Sequence, residues 1–262
     1  MTNPTGRFDS ETDTVYSDGA TSTEPFSFDE AVARVFPDMI RRSVPGYTTI
    51  VPMIGLIAAR FARPATACYD LGCSLGAVTL AMRHSIPHSQ GRIIAVDNAQ
   101  SMIDRCQHYI ALDDGQLPVE LMCADIREID YQPASVVALN FTLQFIPVPE
   151  RAPLLERLRK SLEPGGALIL SEKIAFADGD EQALHETLHR DFKRAQGYSE
   201  MEISRKRNAL EEVLIPETLE THRQRLLDAG FARVTLWQQS LNFISLLALA
   251  PGATNATEDR SD

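Results

Sequence analysis

Five short apolar segments that alternate with helical patterns are the feature that most restricts the fold of this 262-residue chain. Segments 66–70 and 92–97 each end in an aspartate, as strands of a buried parallel sheet commonly do before a turn. Right-handed crossovers place helices on both faces of such a sheet. The pattern therefore predicts an α/β fold with a doubly wound, mostly parallel sheet. The other strands are predicted at 119–124, 134–140 and 167–171, and the intervening helices at 76–86, 99–112 and 150–162.

Helical patterns also precede the first strand. Ser27 and Glu30 have the spacing of a capping box, which predicts a helix that begins there and ends before Pro37. Pro37 suits the first turn of a second helix. Apolar residues recur at helical spacing over 47–61 and predict a third. The sheet is thus expected to carry a set of N-terminal helices.

The alternation stops after the fifth strand. Residues 179–213 contain two polar helical stretches, too long for a simple crossover, and predict a helical insertion that covers the active-site edge as a lid. A helix is predicted over 216–229, followed by two closely spaced strands, 232–239 and 241–250. Their short link predicts an antiparallel hairpin. Such a terminal hairpin is typical of Rossmann-like class I methyltransferases and not of dinucleotide dehydrogenases.

Composition suggests where the folded domain lies. Residues 1–24 are rich in Thr, Ser, Asp and Glu with almost no large aliphatic side chains, and 251–262 is similar. Such segments cannot bury enough apolar surface to offset the entropy lost on ordering. We predict a disordered acidic tail at 1–24, a single catalytic domain over 25–250, and a second disordered tail at 251–262.

Charge and hydropathy argue against two classes of partner. The formal net charge is −11, and attraction to a phosphate backbone depends on Lys and Arg that displace counterions, so direct nucleic-acid binding is not expected. The N-terminal residues lack the basic and apolar parts of a secretory signal. The apolar stretch 241–250 is shorter than the roughly 20 residues of a membrane span. We expect a cytoplasmic protein without a membrane partner.

The turn after the first predicted strand has the residues of a nucleoside site. Glycines such as Gly72 let the backbone approach a ligand, and the helix that follows presents free N–H groups; Cys73 and Ser74 lie in the same turn. The spacing from Gly72 to Gly76 is shorter than in the dinucleotide fingerprint. Asp70 can bind an ammonium but would repel a pyrophosphate. The turn therefore favours S-adenosylmethionine over a dinucleotide.

Polar residues at the next three strand ends extend this predicted site. Asp97 is placed to accept hydrogen bonds from ribose hydroxyls, and Asn98 beside it to contact adenine. Asp125 is placed for the adenine amino group, Ile126 for the ring face, and Asn140 ends the fourth strand. Each could alone be an ordinary helix cap or turn residue. Their order along the chain favours one cofactor site at the carboxyl ends of the strands.

Three other residues allow more than one interpretation. Tyr47 follows a Pro-Gly turn and either covers the cofactor or anchors its own helix. His185 and His189 have helical i,i+4 spacing, but no third ligand is placed beside them. We predict that they belong to a solvated helix face and that the protein holds no metal.

Several segments resemble the carboxy-S-adenosylmethionine synthases, over about residues 28–249. They are FDE at 28–30, VFPDMI at 35–40, RSVPGY at 42–47, DLGCSLG at 70–76, NFTLQF at 140–145, DFKRA at 191–195 and GYSE at 197–200. The resemblance implies a carboxyl-group transferase that converts S-adenosyl-L-methionine and prephenate to carboxy-S-adenosyl-L-methionine and phenylpyruvate. It also implies a homodimer, and a product that a separate tRNA carboxymethyltransferase uses on a wobble uridine.

The resemblance implies roles for individual residues as well. Arg207 would be the catalytic residue that holds the transferred carboxylate, a task that suits the two parallel N–H bonds of a guanidinium. Without the resemblance, the run 204–208 predicts a solvated helix face in which Arg205 and Lys206 are surface charges. By match to the family pattern, the cofactor would be lined by Tyr47, Gly72, Cys73, Ser74, Asp97, Asn98, Asp125, Ile126 and Asn140.

Two alternatives remain open at this point. A true methyltransferase of a small molecule or of tRNA would share the cofactor turn, although the acidic balance and the lack of an N-P-P-Y-type or Pro-Cys motif weigh against tRNA. A non-catalytic cofactor-binding module would share the whole nucleoside site. The mass of the nucleoside product distinguishes a methyltransferase from a carboxyl-group transferase. Unchanged turnover in Arg207→Ala would favour the non-catalytic module.

Overall fold

The computed structural model describes residues 11–15, 29–89, 91–210 and 213–252. Within these ranges the strands are β1 (Ala67–Leu71), β2 (Arg92–Asp97), β3 (Val119–Cys123), β4 (Ala134–Asn140), β5 (Leu162–Ala175), β6 (Glu217–Thr218), β7 (Arg233–Ser240) and β8 (Phe243–Leu249). They form one sheet of order β3-β2-β1-β4-β5-β8-β7, with β6 beside β5. Strands β1 to β5 run parallel, β8 is antiparallel to β5, and β7 is antiparallel to β8. The predicted parallel sheet and terminal hairpin are confirmed.

Helices cover both faces of this sheet. Alternate residues of β2 enter different apolar clusters, Ile93 one with Ile50 and Ile103, and Ile94 another with Leu155 and Leu226, because successive strand side chains point to opposite faces. Two apolar layers therefore enclose the sheet, as the sequence predicts. The helices are α1 (Glu30–Ser43), α2 (Tyr47–Phe61), α3 (Ala77–Ser85), α4 (Gln100–Leu112), α5 (Val148–Ser161), α6 (Gly179–Ala195), α7 (Glu200–Leu210) and α8 (Leu219–Asp228).

The order of the strands determines where a ligand site can form. The chain moves outward from β1 to β3 on one side and from β4 to β5 on the other, so the direction reverses between β1 and β4. Ligands of open α/β sheets bind at this reversal, outside the carboxyl ends of the strands. The turn after β1 and the end of β4 thus meet at one crevice. Helices α6 and α7 occupy the predicted insertion at 179–213.

The N-terminal helices differ from the prediction. One helix, α1, runs through Pro37 where we expected two. It continues because buried residues such as Val32, Val35 and Met39 repeat at helical spacing on both sides of the proline, and their packing offsets the lost backbone hydrogen bond. Ser27 of the expected capping box lies outside the described residues. The Asp29 carboxylate caps the helix instead, accepting from the Val32 N–H at 2.9 Å.

Two elements near the end of the sheet also differ in extent. Strand β5 begins at Leu162, five residues earlier than predicted, because the Gly165–Gly166 pair forms an irregularity in the pairing with β4 and not a turn before the strand. The helix predicted over 216–229 begins only at Leu219. The two residues before it, Glu217 and Thr218, pair with β5 as the short strand β6, and the Thr218 side chain caps the helix.

Residues 11–15 pack onto the domain, although they belong to the segment predicted to be disordered. Asp13 is only 3% exposed, and its backbone N–H donates to Asp38 Oδ2 at 2.9 Å. Its carboxylate accepts hydrogen bonds from the Tyr198 hydroxyl and from Lys206 Nζ. The prediction is wrong for these residues because a paired buried carboxylate holds them, and composition does not reveal such a contact. The remainder of 1–24 and residues 253–262 lie outside the described residues.

No single helix in the described residues is long and apolar enough to cross a membrane. Helices α1 and α2 pass the test of length and composition only as a pair, and they are bent by 99° where they meet. Ile50, Ile54 and Ala58 of α2 are fully buried in the core. The apolar face of α2 is therefore occupied by the rest of the domain.

Candidate active site

The turn between β1 and α3 is held close to the neighbouring strands. Gly72 has φ +77°, a conformation that side chains rarely adopt, and the N–H groups of Gly72 and Cys73 both donate to Val96 O, at 2.8 and 3.0 Å. A Cβ at Gly72 would overlap the side chain of Thr142, which follows β4. Only glycine fits at this position. This glycine lets the loop after β4 pack directly against the turn, at the reversal point of the sheet.

Asp97, at the end of β2, anchors the same turn. Its Oδ2 accepts from the Ser74 N–H and its Oδ1 from the Ala99 N–H, both at 2.9 Å. Burial raises the pKa of this carboxyl above its usual value, although the backbone N–H groups oppose that shift. Each oxygen keeps lone pairs beyond the backbone bonds. Asp97 is therefore held in a fixed position with acceptor capacity left on both oxygens.

Asp70 is a buried carboxyl that forms no ion pair with any cation in the described parts of the chain. The Thr79 hydroxyl donates to its Oδ2 at 2.6 Å, but burial dominates and raises the pKa of Asp70 to about 7. Burial and the nearby charge of Asp70 also raise the pKa of the Tyr47 hydroxyl, which stays protonated. A ligand ammonium in this place would stabilise the ionised form of Asp70.

A cavity of about 1930 Å³ opens at the carboxyl ends of the strands. Within the described chain, Asn140 Oδ1 is buried there without a hydrogen-bond partner. An unpaired buried acceptor costs free energy, so this oxygen is placed for a donor on a bound molecule. The cavity brings together ten of the eleven predicted site residues, namely Tyr47, Asp70, Gly72, Cys73, Ser74, Asp97, Asn98, Asp125, Ile126 and Asn140.

Asp125 has a partner that the sequence prediction did not include. Arg127 donates to both of its oxygens through the side chain, and to Oδ1 through its backbone N–H at 2.8 Å. This arginine holds the pKa of Asp125 below its usual value and pairs with Glu150 as well. Asp125 is therefore ionised and fixed. It can accept from an adenine amino group only in addition to Arg127.

Arg207, the eleventh predicted residue, does not line the cavity. It is exposed on α7, whereas its neighbour Lys206 is 5% exposed and does line the cavity. Successive residues of an α-helix point about 100° apart, so the two cannot face the same side. The prediction that Lys206 is a surface charge is wrong, and Arg205 is partly buried too. Arg207 thus points away from the cavity of its own chain.

The two histidines on α6 are not a solvated pair. His189 is 8% exposed, and its Nε2 lies 2.8 Å from Ser43 O. Burial lowers the pKa of His189 to about 3, so the ring is neutral. The His185 ring stacks on Phe176 with 4.2 Å between centroids. The predicted solvated face is wrong because α6 turns this side towards α1 and the sheet.

One other group in the described residues has potential metal ligands close together. The ligand atoms of His84, Asp113 and Asp114 lie within 4.8 Å of one another. Asp113, however, already forms an ion pair with Arg83 at 3.0 Å and a contact with His84 Nε2 at 2.6 Å. Arg83 thus neutralises one of the two carboxylates, and the expectation that no metal is bound stays a prediction.

The cavity continues beyond the nucleoside residues along a row of aromatic rings. Tyr47 lies 6.4 Å from Phe141, Phe141 lies 5.9 Å from Phe243, and Phe243 lies 5.0 Å from His189, measured between ring centroids. The row leads from the end of β4 to α6. Lys173, Lys193 and Lys206 line this far end. Sequence analysis missed all three lysines; only Lys173, at the end of an apolar run, gave a signal.

Comparisons with known proteins identify the family. A methyltransferase-domain model matches residues 69–166. A carboxy-S-adenosyl-L-methionine synthase from Marinobacter nauticus is 58% identical over 226 residues, which is 86% of this chain and 90% of the relative. One from Pseudomonas aeruginosa is 54% identical over 244 residues, 92% and 99% of the two chains. The chain belongs to the carboxy-S-adenosyl-L-methionine synthase family.

Comparison with solved structures shows that this member of the carboxy-S-adenosyl-L-methionine synthase family has the fold of methyltransferases. An O-methyltransferase family protein from Burkholderia thailandensis has a TM-score of 0.62 at 20% identity, covering 89% of this chain and 66% of that one. Human N-acetylserotonin methyltransferase, in complex with S-adenosylmethionine, has a TM-score of 0.57 at 14% identity, covering 85% and 55%. The Rossmann-like class I methyltransferase fold and the family resemblance are thus confirmed, and the chain is an enzyme.

Proposed function

We propose that this enzyme converts S-adenosyl-L-methionine and prephenate to carboxy-S-adenosyl-L-methionine and phenylpyruvate. The proposal is carried by the high identity, over nearly the whole chain, to proteins named carboxy-S-adenosyl-L-methionine synthase. The site supports it because the cavity has residues for the nucleoside at one end and a group of cations at the other. A methyl acceptor without negative charge would not use the second group. The product would serve a separate tRNA carboxymethyltransferase, which implies a cytoplasmic enzyme without nucleic-acid contacts of its own.

The residues of the cavity fit S-adenosyl-L-methionine. The Asp97 oxygens are placed for the two ribose hydroxyls, and Ile126, 6% exposed, for the adenine face. Asp70 and the unpaired Asn140 Oδ1 would bind the ammonium of the methionine part. Gly72 lines the same cavity, so the backbone of the turn would contact the ligand. Cofactor charge and protein charge would then complement each other at the end of β1.

The proposed reaction needs positioning more than it needs an acid or a base from the protein. Prephenate would lose carbon dioxide and hydroxide as its ring becomes aromatic. The hydroxide would remove a proton from the sulfonium methyl group and become water. The resulting methylene carbon would then form a bond to the carbon of carbon dioxide. The aromatic wall of Tyr47 and the buried Phe141 and Phe243 would exclude bulk water from the reacting groups. Holding both reactants in one cavity supplies the effective concentration that the second step needs.

We propose in addition that the enzyme works as a homodimer. Arg207 is exposed on α7 and lies outside the cavity of its own chain. A second copy would allow this guanidinium to hold the new carboxylate, as the family resemblance implies. Analytical ultracentrifugation of the unaltered protein tests the oligomeric state. Turnover of Arg207→Ala, measured alone and after mixing with an Asp97→Ala chain, tests whether the site is shared. Partial recovery of turnover in the mixture would support a shared site, and no recovery would contradict it.

The reaction itself is tested with purified protein, S-adenosyl-L-methionine and prephenate. We expect phenylpyruvate by absorbance and, by mass spectrometry, a nucleoside heavier than the cofactor by the mass of carbon dioxide. Demethylated cofactor in its place would identify a methyltransferase. Neither product, with the cofactor still bound, would indicate a non-catalytic binding module.

The pKa of about 7 at Asp70 predicts a pH dependence of cofactor binding. Only the ionised carboxylate attracts the ligand ammonium, so the affinity for S-adenosyl-L-methionine should rise with pH through this pKa. At about pH 5.5 the affinity should be roughly 20-fold lower than at about pH 7.5. Binding near neutral pH should release a proton. Calorimetry in two buffers of different ionisation enthalpy measures both effects. Above about pH 8 the ammonium itself deprotonates, so the range ends there.

Asp70→Asn is the control for this prediction. The amide can still accept from Thr79, so the fold is kept while the titrating group is removed. The variant should bind weakly at every pH in this range. An equal pH dependence in Asp70→Asn and in the original protein would assign the titration to another group, such as Asp97.

A further inference from the structure

The far end of the cavity concentrates positive charge in a chain that is strongly negative overall. Lys173 lies near the end of β5, Lys193 on α6 and Lys206 on α7, and all three line the cavity. The formal net charge of the chain is −11. Burial, together with the charges of Lys206 and Lys173, lowers the pKa of Lys193 to about 7. The three amines are therefore close enough to repel one another, which is unfavourable unless an anion joins them.

The protein itself neutralises only part of this charge. Lys206 Nζ lies 2.9 Å from Ser43 Oγ and 3.4 Å from Asp13 Oδ2, so it has a carboxylate partner. Neither Lys173 nor Lys193 forms a salt bridge with a carboxylate in the part of the chain that the structure describes. Burial lowers the pKa of Lys173, and the charge of Glu186 opposes this shift only in part and without an ion pair. Two amines consequently face the cavity without a carboxylate partner, and an anion bound there would favour their protonated ammonium forms.

The position of this cluster matches the methionine end of the nucleoside site. Asn140, with its unpaired oxygen, ends β4, and Phe141 follows it directly. Phe243 contacts both Phe141 and the ring of His189, which lies among the three lysines. The lysine cluster is thus separated from the end of β4 by one layer of aromatic rings. The adenine residues Asp125 and Ile126 follow β3, at the other edge of the sheet.

We propose that Lys173, Lys193 and Lys206 form the binding site for the carboxylates of a small dianionic second substrate. Two unpaired ammonium groups beside a third that is already paired match a ligand with two carboxylates better than one with a single carboxylate. The inference rests on the proposed function for the identity of this dianion, which is then prephenate. Phenylpyruvate carries one carboxylate, so the same site binds the product less tightly and favours its release.

Lys193→Ala and Lys173→Ala test the proposal against a matched control. Lys160→Ala removes an exposed lysine from α5 that does not line the cavity. We expect each cavity variant to raise the KM for prephenate about 10- to 100-fold, since each loses a hydrogen bond between charged groups. The kcat and the Kd for S-adenosyl-L-methionine should stay near those of the control. Lys193→Arg should recover part of the loss. Lys206 is left intact because it also holds Asp13.

Binding measurements separate this inference from the proposed reaction. Calorimetry with prephenate, phthalate and phenylpyruvate needs no turnover, and we expect both dianions to bind more tightly than the monoanion, in a lysine-dependent way. If the unaltered protein forms neither product but binds the dianions in a lysine-dependent way, the proposed function alone is contradicted. Turnover with KM values equal in Lys193→Ala, Lys173→Ala and Lys160→Ala would overturn the inference alone. Failure of both dianions to bind the unaltered protein would overturn it as well.

Discussion

Replacing Asp97 with alanine should weaken binding of S-adenosyl-L-methionine at least about 100-fold. Two hydrogen bonds from ribose hydroxyls to a buried carboxylate would be lost, and bonds to charged groups contribute about 1.5–3 kcal/mol each. The same change removes the acceptors of the Ser74 and Ala99 N–H groups, which hold the glycine turn in place. The loss therefore affects the ligand and the backbone that approaches it. Isothermal titration calorimetry at about pH 7.5 gives the dissociation constants of S-adenosyl-L-methionine for the unaltered protein and for Asp97→Ala.

Two further variants show whether this effect belongs to the carboxylate. Asp104→Ala removes an exposed acid from α4 and should bind the cofactor as tightly as the unaltered protein. Asp97→Asn keeps the size of the side chain but turns an N–H₂ group towards a backbone N–H, so it should bind nearly as weakly as Asp97→Ala. Cofactor affinity within threefold of normal in Asp97→Ala would remove this residue from the site.

Arg151→Met should lower the free energy of unfolding by about 3–5 kcal/mol, because three carbonyl oxygens would lose a buried donor at about 1–3 kcal/mol each, while Glu217 would keep its ion pair with Arg225. Arg151 has no exposed surface. Its guanidinium donates to the carbonyl oxygens of Ile146, Gln144 and Ile215 and pairs with Glu217. It therefore ties the loop after β4 to the chain around β6. Scanning calorimetry should show a Tm lower by roughly 10 °C.

Arg223→Met is the matched control for Arg151→Met. Arg223 is exposed on α8, so its loss should shift Tm by no more than about 1 °C. Gln144 and Ile146 also line the cavity, so Arg151→Met should lower turnover at temperatures where the protein is still folded. A Tm equal to that of the control would show that the surrounding carbonyl groups do not depend on this arginine.

The sheet and the nucleoside residues are local features of the sequence and could be predicted. Strands β2 and β4 have the predicted bounds because each is an apolar run that ends in a polar residue. The residues after strand ends of one direction meet at one edge of a sheet. Asp70, Asp97 and Asn140 could therefore be assigned to one crevice without any knowledge of distant contacts.

The far end of the cavity depends on contacts between distant segments and could not be predicted. Asp13 and Lys206 are separated by 193 residues and meet only because α6 and α7 fold back against α1. Periodicity does not fix the rotation of a polar helix such as α7, so Lys206 and Arg207 could not be assigned to its two sides. For the same reason the buried face of His189 was missed.

The burial of Asp13 has a consequence for any shortened form of the protein. A chain that starts at the first helix would lose the carboxylate that faces Lys206 and Tyr198, and the ammonium of Lys206 would lie in the interior uncompensated. The rearrangement needed to hydrate that ammonium would reach the amines of the neighbouring cluster. An affinity tag is therefore better fused at the C-terminus. Removing the N-terminal segment because of its polar composition would remove Asp13, which pairs with Lys206.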